Sequence, residues 1–308
     1  MRKLMLIAFI LSIASQVWAQ PSVQQIGKGA KIDWTNNVYI ATGEGSVPSA
    51  KEEPNRGRAY LKAKGYARMA AIANLLMAIK GTAITCEATG KDFMANEKIT
   101  QRIEGFVNNV QVANVSKETY EGSTIIVVEV RAPMYGDNTP GAVFLGADPE
   151  EIGLPAAKPV KVIRKAAKVG KTAPEPVAGP NVASAVASEP GKPYTSLIID
   201  STGCKIDRCM SPKIRKLDGD EVWGTVKADY DFVQDHGIVA YATSLKEAKA
   251  NSRCGANPLV IHAIGRAGGK FYSDPVISDA DAELLLDENG KAGFLDRFCV
   301  IFVKDGDL

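Results

Sequence analysis

The stretch that most restricts how this chain can fold is Gly65 to Gly81, GYARMAAIANLLMAIKG, seventeen residues of which only Arg68 and Lys80 are charged. It closes a longer pattern, EEPNRGRAYLKAKGYARMAAIANLLMAIKG, with Pro54 suited to a first helical turn and Gly81 to a stop, so a helix is predicted over about residues 54 to 80. At roughly 100° per residue, Ala59, Ala63, Tyr66, Ala67, Ala70, Ala73, Asn74 and Met77 share one narrow face. Side chains that small let a helix axis come close to a sheet. Arg58, Lys62, Lys64 and Arg68 keep the other side of the N-terminal half in water. Towards the C-terminal end Ile72, Leu75, Leu76 and Ile79 make the helix apolar all round, which calls for burial on a second side, by the same domain or by a partner. Asn74 needs a hydrogen-bond partner if buried, and a neighbouring backbone group is the expected one. The charges speak against a membrane span, because each would cost about 2.5–3.5 kcal/mol at the bilayer centre.

A second apolar run opens the chain. MRKLMLIAFILSIASQVWAQ has a basic start at Arg2 and Lys3, an apolar stretch from Leu4 to Ile13, and Val17-Trp18-Ala19 before Gln20, the order of a secretory signal cleaved after residue 19. The first cysteine is Cys86, so no lipid-attachment cysteine follows the cleavage point and the expected location is periplasmic or secreted, not lipid-anchored. The remaining length suits two modest domains. A hydrophobic fraction of 45% supports a proper core, and a formal net charge of +2 argues against a nucleic-acid partner, whose binding domain would be basic. An oxidising compartment permits disulfides, and among the five cysteines Cys204 and Cys209, in GCKIDRCM, are the local candidates for one.

Along the chain, NNVYIATGEGSVP reads as a strand ending in a glycine turn, followed by the long helix, a short strand TAITCEA and a weaker helix KDFMANEKITQRIEG. FVNNVQVANVSKETYEG and GSTIIVVEVRAPM then form a hairpin through Tyr120 to Ser123. These elements define an α+β domain over residues 30–136, a largely antiparallel sheet packed by one Ala-striped helix. From Asp137 to Pro193 nine of the sixteen prolines are concentrated, and residues 137–193 read as a basic Pro/Ala linker. Its centre carries Lys158, Lys161, Arg164, Lys165, Lys168 and Lys171 with no acidic residue, either a solvated tether or a contact for an anionic surface such as cell-wall polymer or lipid. Residues 194–308 form a second small α+β domain of apolar strands and two short helices. Within it DGD marks a hairpin, GRAGGK a hairpin-like loop, and Ser278 caps a helix with an acidic first turn.

The residue types that carry catalysis are sparse. There are two histidines, His236 before a strand and His262 within one, and neither stands in the context of a known nucleophile. TGEGS and GRAGGK complete no phosphate-binding motif. LDGDE and SDADAE lack the alternation of a calcium loop, and the cysteines lack a zinc spacing. No catalytic, cofactor or metal residues are nominated, and the expectation is a protein that is not an enzyme.

The run Ile40-Ala41-Thr42-Gly43-Glu44-Gly45, the helix with alanines near every fourth position closing on Asn74-Leu75-Leu76 and Ile79-Lys80-Gly81, and the paired strands after it resemble the LPP-twenty-type envelope lipoprotein domain. The same residues, about 35 to 135, are similar to the N-terminal domain of the flagellar assembly protein T. LIIDSTGCKIDRCMSPKI with DGDEVWG looks like a segment that accompanies such domains in secreted bacterial proteins. The resemblance implies an envelope location and an assembly or binding role with other envelope proteins as partners, and it brings no catalytic residues. The lipid-attachment cysteine of the lipoprotein pattern is missing.

Overall fold

The computed structural model describes residues 22–147, 160–165, 186–187, 191–224, 232 and 236–306. The expected signal segment, residues 1–19, lies outside them. The architecture is α+β in two units, with three five-stranded sheets among the described residues.

The first sheet has the order β1 (Val23–Ile26), β2 (Ala30–Asp33), β3 (Val38–Ser46), β5 (Ser123–Pro133), β4 (Val112–Tyr120), antiparallel throughout. Helix α1 (Arg56–Gly81) lies across it. The helix starts one residue after Asn55, whose side chain accepts from the Arg58 N–H at 3.0 Å, a cap worth about 1 kcal/mol. It stops at Thr82, whose hydroxyl donates to the Ala78 carbonyl at 2.8 Å. The side chains it buries are Ala59, Ala63, Ala67, Ala71, Leu75, Ala78 and Ile79. Most follow a strict i, i+4 row, which winds slowly around the axis instead of holding the fixed face expected from the sequence. Tyr66 and Met77, placed on that face, are exposed.

The row meets the two glycines of TGEGS. Gly43 and Gly45 sit within β3, not in a turn: a Cβ on Gly43 would lie 2.2 Å from the Ala71 nitrogen, and one on Gly45 2.1 Å from the Ala63 oxygen. Helix and strand backbones thus touch, which needs alanine on one side and glycine on the other. Asn74, beside the row, donates to the Thr42 carbonyl at 2.7 Å, as its position in the stripe suggested. The β4–β5 hairpin turns at Glu121 and Gly122, both with positive φ. TAITCEA is no strand; only an isolated bridge joins Ala83 to Thr89. The weaker helix is two, α2 (Gly90–Phe93) and α3 (Glu97–Asn108), the latter capped by Asn96.

Within residues 137–193, read as a linker, three described stretches form regular elements. Helix α4 (Pro140–Leu145) buries Val143 and Phe144 in the first unit, where Phe144 meets Phe93 edge-on at 5.6 Å. Lys161–Arg164 is strand β6, paired antiparallel with β13 (Gly265–Gly268). Val186–Ala187 is β7, paired with β12 (Pro258–His262). Charge and proline content had hidden a short VI dipeptide that half-buries Val162 and Ile163.

The second unit holds the other two sheets. One runs β10 (Glu221–Trp223), β9 (Ile214–Arg215), β14 (Asp274–Val276), β13, β6. GRAGGK therefore contains a strand, not a bare loop, while the DGD turn between β9 and β10 is as expected. The other runs β11 (Ala240–Ala242), β15 (Val300–Val303), β8 (Ser196–Asp200), β12, β7, with its first four strands parallel. Helix α5 (Leu245–Ala250) covers one face of this sheet over Ile198, Val260 and Ile301. The opposite face, with Leu197, Ile199, Ile261 and Phe302, joins a core that also includes Leu285 of α6 (Asp279–Ala292) and the α1 row. Ser278 caps α6, accepting from the Asp281 N–H at 3.0 Å.

The two units are joined along that core. Trp34 packs edge-on against Tyr241 at 5.6 Å. Met210 and Ser211 donate their N–H groups to the Ala83 and Ile84 carbonyls at 3.0 and 2.8 Å, and Phe271 donates to the Cys86 carbonyl at 2.9 Å. Arg208 donates to the Ser22 hydroxyl.

Candidate functional site

Burying the row Ala59 to Ile79 turns its opposite row outward. Residues two positions along, Leu61, Gly65, Met69, Ala73 and Met77, form the crest of α1, and not one of them is charged. Leu61 is 66% exposed, Met69 59%, Met77 64% and the adjacent Tyr66 61%. Cations flank the crest on both sides: Arg58 and Lys62 on one, Lys64 and Arg68 on the other. Lys62 is held by Glu53 at 2.7 Å. Between α1 and α3 the crest falls into a cleft of about 430 Å³ lined by Met69, Ile72, Ala73, Leu76, Arg68 and Glu104.

The four residues nominated as partner-facing divide. Leu75 and Ile79 are fully buried in their own domain and cannot meet a partner, because the winding row carries them under the sheet. Ile72 and Leu76 are half-buried on the cleft wall. The residues missed are Leu61, Met69 and Met77. Their signal was available: they stand two positions off the alanines spaced by four.

At the junction of the units a polar cluster is buried. Asp274 accepts from the Arg215 guanidinium at 2.7 Å and from the Lys213 N–H at 3.1 Å. Burial pushes its carboxyl above the usual range, and the Arg215 contact only partly offsets this. Cys86 of the first unit and Cys209 of the second both lie near this carboxylate. Burial pushes the Cys86 thiol up to about 12, with the Asp274 charge adding to it, and Cys209 is raised for the same reasons. The candidate disulfide Cys204–Cys209 is absent, and both thiols are free and buried. The loop between them leaves along the 270s, where the Asp207 N–H donates to the Tyr272 carbonyl at 3.0 Å. Cys204 points at the Ala263 carbonyl, 3.4 Å away, while Cys209 exchanges backbone hydrogen bonds with the Tyr241 hydroxyl. Cys299 is half-buried and immediately precedes β15.

Both histidines are exposed. His262 ends β12 beside Asp200, with 3.1 Å between Nδ1 and the carboxylate. Burial works against the Asp200 charge, but hydrogen bonds from Thr202 and the nearby His262 outweigh it and hold the carboxyl below its usual range. His236 stacks on Phe232 at 4.7 Å. Among the described residues no group of three or more His, Cys, Asp or Glu side chains is placed to hold a metal ion. Of the basic residues expected on an anionic surface, Lys161, Arg164 and Lys165 are exposed along and just after β6, with Lys165 also donating to the Thr202 carbonyl at 2.5 Å. Lys158, Lys168 and Lys171 lie outside the described residues. No helix among the described residues is long and apolar enough to cross a membrane.

Comparison with known families matches residues 196–306 to the second domain of Treponema pallidum Tp0624. The match begins at β8 and covers the second unit without β6 and β7. No curated protein matches the chain.

Proposed function

We propose that this chain is a non-enzymatic component of the bacterial cell envelope, acting in assembly or structure of an envelope machine, with the flagellar basal body as the candidate. The observation that carries the reading is the edge strand β4. It is nine residues long, exposed or half-exposed throughout, and α1 packs on β3 and β5 instead. Such an edge turns the main-chain N–H and C=O groups of alternate residues outward, ready for a strand from another protein. Two units locked on a shared core hold that edge in a fixed place, which suits a part that positions others better than one that turns over substrate. The N-terminal signal pattern and the likeness of residues 35 to 135 to the LPP-twenty-type domain and the flagellar assembly protein T support the address.

The test places a photo-cross-linking residue at Tyr120, 65% exposed at the hairpin tip, in the producing cell. The expected result is capture of a different envelope protein, lost when the outward edge is blocked by Lys117→Pro. Recovery of the chain alone overturns the reading.

A further inference from the structure

The crest of α1 has the wrong chemistry for a face that meets only water. Solvent-facing ridges of helices normally carry the charges, with apolar residues turned to the core. Here the core row is alanine, the outermost row is Leu61, Gly65, Met69, Ala73 and Met77, and the charges lie on the shoulders. Five of the seven large apolar side chains exposed among the described residues, Tyr60, Leu61, Tyr66, Met69 and Met77, belong to this one helix. Its charges are of one sign: Arg56, Arg58, Lys62, Lys64, Arg68 and Lys80, with no acidic residue from Arg56 to Gly81. The nearby acids are Glu53, which bonds Lys62, and Glu104 across the cleft.

We propose that this ridge docks on an anionic phospholipid bilayer. The crest winds with the buried row, and Tyr66 to Met77 is the part that shares one side, about 17 Å long at 1.5 Å per residue and suited to lying in the interface. Met69, Met77 and the Tyr66 ring enter the boundary between headgroups and acyl chains. Arg58, Lys64 and Arg68 extend sideways and up to the lipid phosphates, their stems covering the apolar ridge, while Lys62 stays paired with Glu53. Charge complementarity sets the sign of the surface, and the apolar crest sets its kind. A wall polymer would use the cations and leave the crest in water, whereas a bilayer uses both. This contact is separate from Lys158, Lys161, Arg164, Lys165, Lys168 and Lys171, which the sequence offers as either a solvated tether or an anionic contact. The inference goes beyond the assembly role and does not depend on it, since cross-linking at Tyr120 reads a different surface.

The experiment is co-sedimentation of the full chain with phosphatidylglycerol–phosphatidylcholine vesicles and with phosphatidylcholine alone. Leu4 to Ile13 is also apolar, so the reading is the difference between parent and variant. The parent is expected to bind the anionic vesicles and to bind less as salt shortens the screening length. Met69→Glu and Met77→Glu should each weaken that binding at least about tenfold, and Arg68→Gln roughly fivefold, with circular dichroism unchanged because all three sites are exposed. Equal binding to both vesicle types, no binding at low salt, or binding that Met69→Glu leaves intact overturns the proposal. So does a parent that sediments as a dimer without vesicles and becomes monomeric in Met69→Glu, which gives the ridge to a second copy of the chain.

Discussion

At the scale of single residues, Gly43 and Gly45 fix how near α1 can come to the sheet. Gly43→Ala or Gly45→Ala forces a methyl group into helix backbone that cannot rotate aside, unlike a clash with a flexible side chain. Each is expected to lower stability by about 3 kcal/mol or more, read as a shifted midpoint in urea denaturation. Gly65→Ala is the matched control. Nothing lies within 4 Å of its added methyl, and it sits mid-helix, so it should raise stability by about 1 kcal/mol. A Gly43→Ala protein as stable as the parent would show that the helix does not rest on β3 this closely.

At the scale of elements, β6 decides whether the Pro-rich stretch is a tether. The Lys165 N–H donates to the Ile264 carbonyl at 2.8 Å, so its amide should exchange slowly, together with those of the β13 strand it flanks. A tether would exchange at the unstructured rate, and finding that would remove β6. The elements differ in how far the sequence revealed them, for physical reasons. The α1 helix, β3, the β4–β5 hairpin and the Ser278 cap were legible because periodicity, turn chemistry and capping are local signals. The first two strands were not read because each is four residues long and their pairing, Val23 to Asp33, becomes favourable only beside β3. TGEGS looked like a turn because glycine is commonest in turns, and only the helix packed over it explains glycine in mid-strand. The crest was hidden by averaging: a face drawn for a helix with a fixed buried side mixes Ala67 with Tyr66, which the winding row separates. Cys209 was matched to Cys204 as a disulfide candidate, since its neighbours Cys86 and Asp274 are distant in sequence.

At the scale of the whole molecule, the shared core has a thermodynamic signature. Main-chain bonds from Met210, Ser211 and Phe271 to the segment Ala83 to Cys86, with Trp34 against Tyr241, couple the stability of each unit to the other. Calorimetry should show one cooperative unfolding transition, and Tyr241→Ala should lower it by about 3–5 kcal/mol while keeping it single. Two transitions in the parent, or a variant that melts only the second unit, would contradict this coupling. Strand β6 adds a practical consequence. It enters the second unit's sheet from sequence well before Ser196, so a fragment cut at that boundary leaves β13 with an open flank of unpaired backbone. Expressed alone, such a piece has a ready template for self-association, and a useful truncation must begin before Val160.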